Sequence, residues 1–322
     1  MNIMLAWNRA QGITKFDGIV SPAYSVFEVI SDSDHRFLDY LVRCDTTCAY
    51  FKAWSYGIIE SRLRLYPETF GSLFCALPTL DEQRIIADHL DRATSRIDTL
   101  VAKKTRFIEL LQEEVISLAT SCQAADSTRW IRLRHVSDIQ SRPVDMQSGD
   151  KFTRLGLYNR GRGIFKKDSA DTEDMGESSF HWVEDGDLIL SGQFAWEGAV
   201  AMARHAHAGC VVSHRYPIVR GKPGEALAEY LYAYFQTAHG DMVLNDCSRG
   251  SAGRNRPLNM GLLMNWKIPI PPLPVQKRIA TLLRKKERAE ALQKRSIELL
   301  REHRTALITA AVTGKIDLRP AA

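Results

Sequence analysis

The chain has 322 residues, of which 45% are hydrophobic and 25% are charged, and its formal net charge is +5. The length allows two domains with cores of their own, while the lack of an apolar run of roughly 20 residues excludes a membrane-spanning helix. The mild positive charge is compatible with nucleic-acid binding but does not require it. The N-terminus lacks the layout of a signal peptide, so we expect a cytoplasmic protein.

Residues 1–76 are predicted to form a first, short globular domain. Its later part contains cationic and aromatic side chains that suit contact with DNA phosphates and bases, although such a run is also typical of a solvated loop. These candidate DNA-binding residues are Lys52, Trp54, Arg62 and Arg64.

Residues 77–125 are predicted to contain a long central helix. Apolar residues recur with alternating steps of four and three, which is a heptad pattern. The positions are Ile86, Leu90, Ala93, Ile97, Leu100, Phe107, Leu111, Val115 and Leu118, with Lys104 filling one polar position. The pattern predicts a coiled coil with a second helix, and the alternative is an amphipathic helix lying on a core of its own.

Residues 126–271 are predicted to form a second globular domain. Short β-like runs alternate with Gly-rich turns, and residues 227–237 have helical composition. The fold class is therefore α+β, without evenly spaced βαβ units. Two basic segments are candidate DNA contacts, because Arg can fork onto phosphate or guanine and Asn can read adenine. They contain Tyr158, Asn159, Arg160 and Arg162, and Arg249, Gly250, Arg254, Asn255 and Arg256.

Residues 272–322 are predicted to contain a second long helix that ends at Gly314. Its apolar positions are Ile279, Leu283, Ala289, Leu292, Ile297, Leu300, Leu307 and Ala310. Residues 81–114 hold six Lys/Arg and eight Asp/Glu, whereas residues 277–304 hold ten and four. This opposite charge balance favours pairing of the two long helices with each other.

The strongest sequence signal is an internal repeat. Residues 77–90 (LPTLDEQRIIADHL) match residues 270–283 (IPPLPVQKRIATLL), 193 residues further along, and both helices later reach the tetrapeptide IELL. Such self-similarity predicts two copies of one structural unit and a pseudo-twofold chain.

The globular domains repeat only in part. Ala6-Trp7 matches Ala195-Trp196, and Asp39-Tyr40-Leu41 matches Glu229-Tyr230-Leu231. Residues 1–76 therefore correspond to about residues 188–270, while residues 130–187 have no counterpart in the first domain. A misplaced start codon, a true truncation and a recombination cassette would each produce this pattern.

No motif indicates catalysis. The phosphate-binding loop, the zinc-protease motif, the serine nucleophile elbow and the tetrapeptide of amino-methyltransferases are absent from the sequence. The six cysteines lack the spacing of a zinc site, so we expect structural thiols and no bound metal. A stand-alone nuclease would need a cluster of acidic metal ligands, which no Asp/Glu pair suggests.

These features together resemble the specificity subunit of type I restriction–modification systems. The resemblance rests on LPTLDEQRIIADHLD at residues 77–91, IDTLVAKK at 97–104, IELL in both helices, FDGIVSPAYSVF at 16–27 and AVTGKIDL at 311–318. It covers both long helices and the junctions beside them, whereas the interiors of the globular domains match only in pattern.

The resemblance implies two target-recognition domains, the first one partial, joined by a pair of antiparallel coiled-coil helices that set the distance between two DNA half-sites. It implies double-stranded DNA, two DNA methyltransferase subunits and restriction/translocase subunits as partners. Those subunits would hold S-adenosylmethionine and ATP with Mg, and this chain would hold no cofactor. The alternative is a truncated, silent or decoy specificity protein that binds partners through its helices without competent bipartite recognition.

The long helices carry the residues expected to mediate helix pairing and partner docking. They are Ile86, Leu90, Ile97, Leu100, Phe107, Leu111, Ile279, Leu283, Leu292, Ile297, Leu300 and Leu307.

Overall fold

The computed structural model describes residues 1–14, 16–59, 62–145, 147, 150–176, 178–250 and 256–318. The chain divides into two compact units, unit 1 (residues 1–106 and 291–322) and unit 2 (residues 107–290). Each unit contains one globular module and one segment of each long helix. The bounds of the four regions expected from the sequence remain predictions.

Unit 1 contains a small, mainly helical module. Its helices are α1 (His35–Arg43), α2 (Asp45–Ala53), α3 (Pro67–Gly71) and the first part of α4 (Leu80–Ser121). Asp34 starts α1, because its carboxylate accepts hydrogen bonds from the backbone N–H groups of Arg36 and Phe37. Phe37 packs in a buried cluster with Ala87 and Leu90 of α4, so the module rests on the long helix.

Unit 2 contains the larger α+β module. Its strands are β1 (Arg129–Arg132), β2 (Ser137–Gln140), β3 (Lys151–Phe152), β4 (Leu155–Leu157), β5 (Ile164–Lys166), β6 (Ala170–Asp171), β7 (Phe180–Trp182), β8 (Leu188–Leu190), β9 (Val200–Met202), β10 (Val211–Ser213), β11 (Ile218–Gly221) and β12 (Lys267–Ile270). Its short helices are α5 (Leu133–Val136), α6 (Ala228–Phe235), α7 (Ala238–Asp246) and α8 (Met260–Asn265), and α9 (Leu273–Val312) follows.

The central sheet of unit 2 has four strands in the order β2-β11-β8-β9. All of its pairs are antiparallel, with Ile189 of β8 opposite both Ile218 of β11 and Ala201 of β9. Smaller antiparallel pairs join β1 with β12, β3 with β6, β4 with β5 and β7 with β10. Antiparallel pairs combined with separate helices are the α+β architecture that the sequence predicts.

Helix α6 lies at the centre of the unit 2 core. All six residues from Tyr230 to Phe235 are buried, so this helix has no polar face and must be surrounded by other elements. The same buried cluster includes Val115 and Ala119 of α4 and Ile279 and Leu283 of α9. The module is thus built onto both long helices.

The long helices pair antiparallel, as predicted. In unit 1, Asp98 of α4 pairs with Arg304 of α9 at 3.0 Å, whereas Lys104, later in α4, donates to Gln293, earlier in α9, at 2.8 Å. The contacts run in opposite directions along the two helices. Together with the two globular modules, this pairing confirms the predicted fold class.

The apolar seam of α4 differs in phase from the predicted one. Its buried positions are Gln83, Ala87, Leu90, Thr94, Ile97, Val115 and Ala119. Thr94 takes a seam position because its hydroxyl donates to the carbonyl of Leu90 at 2.7 Å and lies 3.2 Å from the Tyr40 hydroxyl. A polar side chain with both partners is tolerated there.

Three residues predicted to lie in the apolar seams, two on α4 and one on α9, are exposed. Leu100, Phe107 and Leu292 are 39%, 43% and 66% exposed. They are therefore not among the buried positions of the long helices, and their parts in helix pairing and partner docking stay predictions. Among the other predicted positions, Leu90, Ile97, Ile279, Leu283 and Ile297 are buried, and Ile86, Leu111, Leu300 and Leu307 are half-buried.

The repeated glutamines attach each module to the start of a long helix. In unit 1, the Gln83 amide nitrogen donates to the carbonyl of Pro78, and its oxygen accepts from the backbone N–H of Asp34, both at 2.9 Å. In unit 2, Gln276 makes the equivalent bonds to Pro271 at 2.9 Å and Leu227 at 2.8 Å. This shared geometry confirms the internal repeat.

The glutamine bonds also fix how the modules align. Asp34 and Leu227 are equivalent, since each precedes a helix and donates its N–H to the anchoring glutamine. Counting forward, Phe37 corresponds to Tyr230, and both are fully buried.

The match of Asp39-Tyr40-Leu41 with Glu229-Tyr230-Leu231 is therefore wrong by three residues. The two segments are similar in sequence, but burial and the glutamine hydrogen bonds show a different structural alignment. In the structure Tyr40 instead donates its hydroxyl hydrogen to Asp91 of α4 at 2.8 Å.

Candidate nucleic-acid interface

Each module contains the same short turn around a tryptophan. The turns are the 3₁₀ segments Ala6–Asn8 and Ala195–Glu197. The indole N–H of Trp7 donates to a carbonyl three residues earlier at 3.1 Å, and that of Trp196 does the same at 3.1 Å. Both turns end in a left-handed residue, Arg9 or Gly198. The predicted match of Ala6-Trp7 with Ala195-Trp196 is confirmed.

A cation lies over each of these tryptophans. The Lys52 ammonium is 5.3 Å from the centre of the Trp7 ring, and the Arg256 guanidinium is 4.9 Å from that of Trp196. Such contacts stabilise a cation on an aromatic face by about 0.5–2 kcal/mol. Both cations were candidate DNA contacts, whereas the tryptophans were recognised only as part of the repeat.

Arg256 is held firmly by its own loop. Its Nε donates to the carbonyl of Ser248 at 3.0 Å, and Nη2 donates to the side-chain oxygen of Asn245 at 2.5 Å. With the Trp196 ring on one face, this guanidinium shapes the loop more than it reaches outward. Arg249 and Gly250 at the start of the loop are exposed. Arg254 and Asn255 lie outside the described residues.

The second basic segment of unit 2 connects β4 and β5 and lies against the Trp196 turn. The backbone N–H of Arg160 donates to the carbonyl of Glu197, and that of Gly161 to the carbonyl of Gly198, both at 2.8 Å. The Asn159 amide also bonds to the Glu197 carboxylate. The structure therefore brings two segments about 90 residues apart in sequence together around one turn.

We call this region the Trp196 surface, and it is rich in cations and aromatic rings. Its members are Tyr158, Asn159, Arg160, Arg162, Trp196, Arg249, Gly250 and Arg256. The Arg162 guanidinium lies 5.3 Å from the Tyr158 ring centre, and Tyr158 is 44% exposed. A rigid array of this kind can contact phosphates and stack on bases.

Gly198 permits the close approach of the β4–β5 connection. Its φ is +69°, and a Cβ there would lie 3.3 Å from the Cα of Arg160. The equivalent residue in unit 1 is Arg9, which takes the same left-handed conformation and pairs with Asp45. The two turns therefore share backbone geometry but not the same neighbours.

The corresponding residues of unit 1 lie at and after the end of α2. Trp54 is 44% exposed and meets the edge of Tyr50 at a centroid distance of 6.4 Å. Arg62 and Arg64 are exposed. Paired backbone hydrogen bonds of 2.9 Å between Tyr56 and Arg64 close the loop that carries both arginines. We call Trp7, Lys52 and Trp54 the Trp7 surface.

Neither surface resembles a metal centre. Among the described residues, no three His, Cys, Asp or Glu side chains come together as a metal-binding group. Both surfaces are cationic and aromatic, which suits contact with phosphates and bases.

A comparison with known protein families matches most of the larger module and part of α9. The family described as "Type I restriction modification DNA specificity domain" matches residues 151–302. The match covers 152 of the 322 residues, so this part of the chain is similar to the family. The matched region of the specificity domain contains the whole Trp196 surface and most of α9.

Three solved structures are similar to the chain along most of its length. One, reported for complex assembly and conformational transition of the type I R-M system, has 19% identity and a TM-score of 0.54, and the match covers 88% of this chain and 72% of that one. This likeness shows a shared fold. The HsdS subunit from Thermoanaerobacter tengcongensis has 18% identity and a TM-score of 0.45, and the match covers 88% of this chain and 71% of that one. The S subunit of the type I system from M. genitalium has 15% identity and a TM-score of 0.48, and the match covers 86% of this chain and 72% of that one.

The search of curated proteins found no match to the chain. Within the part of the chain that the structure describes, none of the helices combines the length and apolar character that crossing a bilayer requires.

Proposed function

We propose that this specificity protein recognises a bipartite DNA target, with one half-site read by each module. The observation that carries the proposal is the repeated tryptophan turn with a cation on its ring, at Trp7 and Trp196. Two equivalent cationic and aromatic surfaces on a duplicated scaffold suit a target with two separated parts.

In this proposal the surfaces bind phosphates first and bases second. Exposed arginines such as Arg162 and Arg249 would contact phosphates and position the module on the duplex. Sequence would be read by side chains that reach base edges in the grooves. Asn255, in the basic loop, is the candidate for reading adenine.

The paired helices would scaffold the complex and set the spacing between half-sites. Two DNA methyltransferase subunits would dock on α4 and α9, and restriction/translocase subunits would complete the assembly. S-adenosylmethionine and ATP with Mg would be held by those subunits, and this chain would contribute no catalysis. We place the complex in the cytoplasm, where DNA and these partners meet.

Methylation mapping tests the proposal as a whole. Genomes of cells with and without the gene would be compared for methylated motifs. We expect loss of the gene to remove methylation at one motif with two specified parts and a fixed gap. An unchanged pattern would contradict bipartite recognition and support the silent or decoy alternative.

We predict that Arg162→Ala with Arg249→Ala weakens DNA binding through lost phosphate contacts. The salt dependence of the binding constant, log K against log salt, should become shallower by about one for each arginine that contacts a phosphate. The measurement is a titration of a fluorescent duplex by the full chain at several salt concentrations.

Arg295→Ala is the matched control for this experiment. Arg295 is an exposed arginine on α9 that pairs with Glu298 at 3.3 Å, and its loss should leave the slope unchanged. If the double variant and the control give the same slope as the unmodified chain, the Trp196 surface does not bind DNA phosphates.

A further inference from the structure

The two modules sit on their helices through the same glutamine but through ion pairs of opposite polarity. Because Asp34 is equivalent to Leu227, Arg36 is equivalent to Glu229, two residues later in each chain segment. In unit 1 the module supplies the cation, since Arg36 pairs with Asp88 at 2.7 Å and with Asp91 at 3.0 Å on α4.

In unit 2 the signs are reversed. The module supplies the anion, and Glu229 pairs with Arg284 of α9 at 2.6 Å. Arg284 occupies the repeat position of Asp91, as Gln276 does that of Gln83. Glu229 is also 3.8 Å from Arg204, which in turn pairs with Glu287 of α9 at 2.7 Å.

We propose that this charge polarity determines which recognition module packs on which long helix. The glutamine bonds cannot make the distinction, because they use backbone groups that both modules present. With exchanged modules, Glu229 would face Asp88 and Asp91, and Arg36 would face Arg284. Like charges at that distance disfavour packing, so each helix start accepts a module of the opposite charge.

Burial makes the polarity effective in unit 2. The Glu229 side chain is only 12% exposed, so a like charge beside it would be poorly screened. Burial by itself raises the pKa of this carboxyl, but the hydrogen bond from Arg284 lowers the pKa below its ordinary value. The carboxylate is therefore charged and depends on its cationic neighbours.

The polarity follows the overall charge of the helices. The more acidic α4 receives the module with Arg36, and the basic α9 receives the module with Glu229. Recognition modules would then be interchangeable between chains only where the module and the helix start have matching charges. This inference rests on contacts within each unit and does not depend on the proposed DNA function.

A cycle of charge variants in the full-length chain tests the inference in unit 1. Arg36→Glu gives the module the polarity of unit 2, and Asp88→Thr with Asp91→Arg gives α4 the residues of α9. Hydrogen exchange of the α1 amides measures how readily the module opens from the helix. We expect each mismatched variant to open about tenfold more often, and the triple variant to return within about threefold of the unmodified chain.

Three comparisons make the result decisive. Arg84→Glu changes an exposed charge on α4 that pairs with Asp81 of the same helix at 3.5 Å, and it should alter exchange less than twofold. Exchange of the α6 amides reports whether unit 2 remains folded. In unit 2, Glu229→Arg should raise the exchange rate of the α6 amides, and adding Arg284→Glu should lower that rate again.

Unchanged α1 exchange in the mismatched variants would overturn the proposal. The proposal would also be overturned if α1 opened in the triple variant as often as the effects of the mismatched variants add up to. The charges would then stabilise the packing of the module without determining which helix it packs on. DNA binding is not the readout, so failure of the proposed function would leave this result unaffected.

Discussion

Replacing Asp187 by asparagine is expected to destabilise unit 2 by about 3–5 kcal/mol, the usual cost of removing one partner from a buried ion pair. The Asp187 carboxylate is fully buried. Arg142 donates to both of its oxygens at 2.9 Å, and Arg220 donates to Oδ1 from Nε at 3.1 Å. An amide would keep the shape but leave two guanidinium groups facing a neutral side chain.

Asp187 links several parts of the module through these bonds. It directly precedes β8, while Arg220 lies on β11 beside it and Arg142 follows β2. Its Oδ2 also accepts the backbone N–H of Glu184 at 2.8 Å. The hydrogen bond to Asp187 raises the pKa of Arg142 and outweighs the burial that lowers it. Loss of this one carboxylate therefore loosens the sheet and the strands that precede it.

Hydrogen exchange of the β8 amides in denaturant measures the effect on unit 2 alone. Asp171→Asn is the matched control, because Asp171 pairs with Lys151 at 3.4 Å with both side chains exposed. Such a pair contributes about 0–1 kcal/mol. A loss below about 1 kcal/mol in Asp187→Asn would contradict the role assigned to the buried carboxylate.

The large features of this fold could be predicted because they repeat locally in sequence. The heptad steps gave the long helices, and the match of residues 77–90 with 270–283 identified two copies of one unit. The Asp187 network could not be predicted in this way. Its partners lie 45 and 33 residues away, and nothing in the sequence GDL marks the aspartate as buried.

The phase of the α4 seam illustrates a different limit. Apolar spacing favours Leu100 and Phe107, yet these are exposed and Thr94 is buried. Thr94 is accommodated by Tyr40 from another element, so a tertiary contact overrides the pattern along the helix. Composition alone cannot distinguish an apolar residue facing the partner helix from one left on the surface.

The candidate interface was predictable in composition but not in arrangement. The two basic segments of unit 2 appear unrelated in sequence, and only the bonds from Arg160 and Gly161 to the Trp196 turn bring them together. The sequence also treats Arg256 as a free cation, whereas the structure fixes it between Trp196 and Asn245. Which arginines reach outward is therefore a property of the folded loop.

Gln276→Leu is expected to destabilise unit 2 by about 3 kcal/mol, because it leaves buried backbone groups without partners at about 1–3 kcal/mol each. Gln276 is fully buried. Its amide nitrogen donates to the carbonyls of Pro271 and Glu225 at 2.9 and 3.0 Å, and its oxygen accepts from Leu227 at 2.8 Å. Leucine has a similar volume, so the loss measures hydrogen bonding rather than a cavity.

Gln83→Leu should have a smaller effect in unit 1, since Gln83 makes two such bonds, to Pro78 and Asp34. Gln293→Leu is the control for both, because this half-buried glutamine accepts its bond from the side chain of Lys104 and not from a buried backbone group. Hydrogen exchange of the first turn of α6 measures the change in unit 2, and that of α1 the change in unit 1. We expect the largest destabilisation from Gln276→Leu, a smaller one from Gln83→Leu and the smallest from Gln293→Leu.

Comparing the opening of α1 with that of α6 in both variants distinguishes attachment of a module to its helix from general stabilisation of the fold. If the glutamine fastens each module to its helix, Gln276→Leu opens α6 without opening α1, and Gln83→Leu does the reverse. Equal opening of both helices by either variant would show that the glutamines support a single cooperative fold instead. The repeated residue would then be a common core contact, and the modules could not be treated as separately attached readers.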